Sequence, residues 1–217
     1  MDTKAIRTAL RRWGLYVRTF IKWTAAAAVI GAACGHVGTL FHFGVHEVTA
    51  FRGTHPWVLY LLPLAGLVIV GFYKLTGTDG LGTDDIIDAV HQGKLLPILL
   101  LPAIFFGTIL THLCGGSAGR EGAALQMGGT IGQYLGRHFQ LDDRDLRVAT
   151  LAGMAAFFSA LFGTPLTATV FAIVVISIGV VYHVAFIPCL TASLVAYWIS
   201  VELGVAPTRF SVAAPEL

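Results

Sequence analysis

Charge is what this sequence has least of. Only 12% of its 217 residues are Asp, Glu, Lys or Arg, about half of the roughly 25% usual in a soluble domain. The shortage is uneven. No charged residue occurs from Leu95 to Gly119, or from Val148 to Val201. Both runs exceed the roughly 20 residues that one helical span needs. Neither run alternates in short segments, which excludes a transmembrane β-barrel. An open sheet would leave its backbone unpaired in lipid. The remaining fold class is an all-α polytopic membrane protein.

Cysteine is scarce too. Cys34, Cys114 and Cys189 lack the spacing of a disulfide framework or a metal centre. They read as buried thiols in apolar surroundings, and no cofactor is implied. The net charge of +2 does not point to nucleic acid. What matters is where the positive charge lies. Lys4, Arg7, Arg11, Arg12, Arg18 and Lys22 precede the first apolar run, with only Asp2 against them. Positive residues stay cytoplasmic, so the N-terminus is expected inside. Ile6, Leu10, Trp13 and Tyr16 recur at helical spacing. Residues 1–22 are therefore expected to form a basic amphipathic helix on the cytoplasmic side. A cleavable signal is not expected, because the basic region is long and no small-residue cleavage site follows.

Residues 23–205 read as the membrane domain, and 206–217 as a loop. A first span is expected from Trp23 to Val48, a loop at Arg52–His55, and a second span from Pro56 to Tyr73. Residues 74–85 are polar and glycine-rich. Thr83, Asp84 and Asp85 then open a short helix to Val90. A third span is expected from Leu95 to Leu113, a helix from Glu121 to His138, and a span from Leu146 to Phe158. Gly163-Thr164-Pro165 breaks the chain before a restart at Leu166, Pro being a standard first helical residue. A last span is expected from Val180 to Val201. Such interrupted helices put unpaired N–H groups at bilayer depth. They are tolerated only where they line a cavity or are buried, and anion sites of transporters are built this way.

The stretch from Gly115 to Gln126, GGSAGREGAALQ, joins these features. A helix starting near Glu121 would offer free amides to an anion, with Gly119 and Gly122 allowing close approach. Glu121 is itself an anion and can occupy the same place as a plug. Protonation or a competing anion would move it aside, which makes it a proton-sensitive gate. The plainer alternative is an Arg120–Glu121 pair that only anchors a helix end. Gly115-Gly116-Ser117-Ala118-Gly119 also fits G-x-S-x-G, which leaves an intramembrane serine protease using Ser117 with His112 or His183 as a rival. His42, His46 and Glu47 have metal-compatible spacing without an evident third ligand.

GGSAGREGAALQMGG resembles the signature of CLC chloride channels and proton-coupled anion antiporters, whose G-R-E-G-P holds a gating glutamate. FFSALFGTPLTATVFAI, from Phe157, resembles the family's phenylalanine-rich turn, proline and new helix. GLGTDDI falls where the family has G-S-G-I-P-E-I. The resemblance implies a homodimer with one pore per subunit, each subunit an inverted repeat whose short helices aim their N-termini at the anion. It implies a gating role for Glu121, framed by Gly119, Arg120 and Gly122, with Ala123 where proline is usual. It implies backbone anion contacts from Gly80, Leu81 and Gly82, and from Gly119, Arg120, Gly122 and Ala123. Leu81 stands in place of a serine that donates its hydroxyl. Val175 stands where many antiporters have an internal proton-passing glutamate. The wording LTHLCGGSAGREG resembles most the fluoride-exporting bacterial branch.

Family chains are about twice as long, and this one ends where their first half ends. The expectation is therefore half of a halide channel or antiporter in a bacterial plasma membrane. Its partners would be halide ions, protons, the lipid bilayer and a complementary second-half chain. A non-transporting membrane subunit is the third alternative.

Overall fold

The computed structural model describes residues 3–176 and 183–206. Among them are eight α-helices and no strand: α1 (Thr3–Thr54), α2 (Leu62–Thr76), α3 (Thr83–Gln92), α4 (Leu100–Leu113), α5 (Arg120–His138), α6 (Asp143–Phe162), α7 (Pro165–Val175) and α8 (Phe186–Glu202). Single 3-10 segments at Pro56–Leu61 and His183–Ala185 lead into α2 and α8. Four helical stretches are long and apolar enough to cross a membrane: Tyr16–Thr54, Pro56–Thr76, Asp143–Phe162 and His183–Glu202. The chain is an all-α membrane protein. The loop expected over 206–217 and the helix start expected at Val180 lie almost wholly outside the described residues.

The boundary expected between residues 22 and 23 falls inside α1, which runs unbroken for 52 residues. At 1.5 Å per residue it is about 78 Å long, against a hydrocarbon core of roughly 30 Å. Nothing at the boundary stops a helix: Lys22-Trp23-Thr24 leads into four alanines, the best helix formers. The loop expected at Arg52–His55 also shrinks. Arg52 donates from its guanidinium to the His112 carbonyl at 2.8 Å, which ties the end of α1 to the end of α4.

The third expected span forms only the 14-residue α4, shorter than the four spans and starting at Leu100 rather than Leu95, for a reason that lies elsewhere in the chain. Gln133 of α5 is buried. Its amide accepts from the Leu96 N–H at 2.7 Å and donates to the Lys94 carbonyl at 2.8 Å. Pro97 disfavours helix at the residue before it. Together they keep the segment before Ile98 out of a helix. By contrast α6 is longer than expected, starting at Asp143 and running to Phe162.

α6 is the central helix, buried on almost every face from Leu146 to Leu161. Small residues allow this. A Cβ on Gly132 would stand 2.2 Å from the Ala149 carbonyl oxygen, and one on Gly153 would stand 2.1 Å from that of Gly128. α5 and α6 therefore touch backbone to backbone, the close packing that small residues permit between membrane helices. α1 meets α8 similarly: a Cβ on Gly31 would stand 2.5 Å from the Ala192 carbonyl oxygen. Cys34, Cys114 and Cys189 are free and buried.

The expected break between α6 and α7 forms as its chemistry dictates. Gly163 ends α6 with φ of 69°, and Pro165 opens α7. Val175 ends α7, packed against the core.

Candidate anion site

The start of α5 carries no side-chain cap. Gly119 is its N-cap, in an extended conformation. Among the described residues, the N–H groups of Arg120, Glu121 and Gly122 donate to no protein acceptor. In α6 the N–H of Leu146 closes onto the Asp142 carbonyl at 2.7 Å, and no such bond joins Ala123 to Gly119. Ala123 therefore keeps a donor that a proline would lack.

Arg120 and Glu121 do not pair. Among the described residues no ion pair joins them. The Glu121 carboxylate turns back toward the N-cap: a Cβ on Gly119 would stand 2.9 Å from its Oε2. Glu121 is exposed and accepts no cap hydrogen bond. Arg120 points elsewhere, into a cavity of about 440 Å3 lined also by His42, His46 and His112.

The start of α3 lies beside that of α5. Thr83, the first residue of α3, takes a hydrogen bond from Gln126 Nε2 at 3.1 Å. A Cβ on Gly122 would stand 3.3 Å from the Thr83 hydroxyl. Two helix N-termini thus converge, and their dipoles favour a negative charge between them. Gln126 and Thr83 are the residues that sequence reasoning missed as a pair. Gln126 does lie one helical turn beyond Gly122, which is the local signal available.

The loop before α3 differs from expectation. The turn uses Gly80 at φ of 78°, a conformation that favours glycine. The Leu81 N–H donates to the Thr78 carbonyl at 3.2 Å. The Gly82 N–H donates to Asp85 Oδ2 at 2.8 Å, an acidic residue three positions into the helix bonding back to its N-cap. Leu81 and Gly82, expected to offer amides to an anion, spend them inside the protein. Thr83 and Asp84 donate to nothing among the described residues, so the open amides of this loop lie just after the expected ones. The Lys94 ammonium bonds the other Asp85 oxygen. Lys94 first, then the Gly82 N–H, holds the Asp85 carboxyl below its usual range. Asp85 in turn holds Lys94 above its usual value.

Residues 65–216 match the family described as voltage-gated chloride channel, a span that contains both helix starts. The chain belongs to this CLC family. It is 38% identical over 193 residues to a chloride/fluoride channel protein of Pseudomonas syringae pv. tomato, covering 88% of this chain and 43% of that one. It is 31% identical over 163 residues to an H(+)/Cl(-) exchange transporter of Vibrio campbellii, covering 68% of this chain and 35% of that one. The crystal structure of a CLC-type fluoride/proton antiporter superposes with a TM-score of 0.81 at 33% identity, covering 89% of this chain and 51% of that one. The chain thus spans about half the length of the CLC proteins it matches. The CLC signature falls on α5, and the second landmark on the α6–α7 break.

The rival constellations do not assemble. Ser117 is exposed, and among the described residues it makes no hydrogen bond to a histidine. His112 donates from Nδ1 to the Thr108 carbonyl of its own helix at 2.8 Å. His42 and His46 share no metal-compatible group of three with other His, Cys, Asp or Glu among the described residues.

Proposed function

We propose that this chain supplies one half of a CLC-type halide pathway, with Glu121 as the gate. The observation that carries the reading is the uncapped start of α5, with its N–H groups open and the Glu121 carboxylate folded against the N-cap. A carboxylate there competes with a permeant anion for the same dipole. Protonation removes its charge and its claim on the amides. The anion contacts run over Gly119, Arg120, Gly122 and Ala123 on one side. On the other they run from Gly80 into Thr83 and Asp84, with the Leu81 and Gly82 amides joining only if their present bonds open.

Fluoride is the preferred ion. Leu81 removes a hydroxyl donor, so the α3 side presents backbone and the Thr83 hydroxyl. Thr83 accepts from Gln126, which leaves its own proton free to donate. The likeness to a fluoride/proton antiporter supports the same choice. Val175 supplies no second proton carrier, so proton movement rests on Glu121. The pathway is completed by a complementary second-half chain and sits in a dimer. The basic start of α1 lies on the cytoplasmic side of a bacterial plasma membrane.

Fluoride and chloride efflux from liposomes tests this, with the chain alone and with a candidate second-half chain. Efflux is expected in the second case. Its absence in both cases overturns the transport reading. In Glu121→Gln efflux is expected to lose its pH dependence, and an unchanged pH profile sinks the gating role.

A further inference from the structure

The cavity beside Arg120 carries a chemistry that the gate does not use. It lies between the C-terminal third of α1, the end of α4 and the first residue of α5. Every polar side chain that lines it is a cation, a histidine or a hydroxyl: Arg120, His42, His46, His112 and Thr49. His42 and His46 are four apart on α1, so both face the cavity from one side of that helix. His42 Nδ1 is buried there with no hydrogen-bond partner. His112 spends Nδ1 on the Thr108 carbonyl, which leaves Nε2 as its free nitrogen. A cation is a poor occupant: no metal-compatible group of three is present among the described residues, and Arg120 repels it.

Other charged groups close by fix the sign. On α1, the Arg52 guanidinium is held on the His112 carbonyl. The Glu47 carboxylate lies 3.8 Å from His46 Nδ1, and both side chains are exposed. From α5, Glu121 turns back to Gly119 rather than into the cavity. At neutral pH Arg120 is the fixed charge in the lining. Each histidine adds a positive charge when it takes up a proton.

We propose that this cavity is a proton-dependent anion antechamber, which receives a halide next to the gate when its three histidines are charged. The proposal rests on the halide reading of the α5 start, because the antechamber opens onto the residue before Glu121. Acid on this side then acts twice. It fills the antechamber with anion, and it neutralises the carboxylate that blocks the next step.

Equilibrium binding of radioactive chloride to the purified full chain, in detergent and without flux, tests it. Affinity is expected to rise roughly tenfold from pH 8 to pH 5.5, as added unit charges at close range act on the bound anion. The triple variant H42Q/H46Q/H112Q keeps polar side chains that cannot charge, and it should flatten this rise. An equal rise in the variant overturns the proposal. Should the triple variant not fold, proton uptake in weakly buffered solution replaces it. Chloride added to the wild-type chain near pH 6.5 should draw protons onto the protein, the reciprocal of proton-driven anion binding. The exposed single variant H46Q should reduce that uptake, and no uptake at all in the wild type overturns the proposal. Absent liposome efflux with pH-dependent chloride binding intact would remove the transport reading and leave the antechamber standing. Efflux with binding that ignores pH would do the reverse.

Discussion

The starts of α5 and α6 are two answers to one problem. Every helix begins with N–H groups that its own turns cannot satisfy. At α6 the protein takes up two of the first four itself. Asp142 accepts from the Asp145 N–H at 2.8 Å, the Leu146 N–H closes the turn, and Lys22 of α1 reaches Asp145 at 2.8 Å. At α5 there is glycine instead of aspartate, no cap, and a glutamate folded over the opening. One start is built for stability. The other leaves the N–H groups of Arg120, Glu121 and Gly122 without a protein acceptor among the described residues. The start of α3 lies between them, with the Gly82 amide closed by Asp85 and the next two left open.

Exchanging the two answers should have the largest effect. Gly119→Asp would give α5 the cap of α6 and place a second carboxylate at the amides. Halide binding should fall on the order of tenfold or more, since 1.4 kcal/mol already suffices for that factor. The helix itself should gain only about 0.3 kcal/mol, since glycine is already a fair N-cap. Chloride binding and thermal melts on one preparation read both effects, and unchanged binding would show that the α5 amides are not the site.

Gln126→Ala should matter less. It removes the hydrogen bond that holds Thr83 against α5, worth about 1 kcal/mol, so halide affinity should drop several-fold while helix content by circular dichroism stays constant. Asp142→Ala probes the stable partner of the comparison. It should lower stability by about 1 kcal/mol in a reversible unfolding assay and leave halide affinity untouched.

The smallest effect belongs to the intermediate start. The folded Asp85 carboxyl sits below its ordinary value of 3.8. Its contribution is therefore complete above that value and lost as pH falls through the lower, folded one. Lys94 is raised above 10.5, so its contribution is complete below that value and lost as pH rises past the folded one. Asp85→Asn should lower the melting temperature slightly at pH 7, and the difference from wild type should shrink as the pH is taken down below the carboxylate range. A difference that holds constant with pH would mean the ion pair contributes nothing.

Much of the architecture was legible because lipid forbids charge and local chemistry marks helix ends. The charge-free run from Val148 to Val201 holds most of two of the four spans. Gly163-Thr164-Pro165 placed the α6–α7 break, and Thr83-Asp84-Asp85 placed the start of α3. The non-helical segment before Leu100 was not legible, because Gln133 that holds it lies far along the chain. The unbroken α1 was missed for the opposite reason. A change from amphipathic to apolar sequence looks like a boundary, yet it breaks no backbone hydrogen bond.

Glu121 was readable as a carboxylate at a glycine-flanked helix start, and Arg120 as its neighbour. Sequence alone determined that a carboxylate would stand at an uncapped helix start, because capping depends on residues next to one another. Only the tertiary structure decided which amides stay open, that Arg120 turns from Glu121 toward three histidines, and that α3 meets α5 through Thr83 and Gln126. Those outcomes depend on contacts between segments far apart in the chain, and residue spacing holds no record of them until the helices pack.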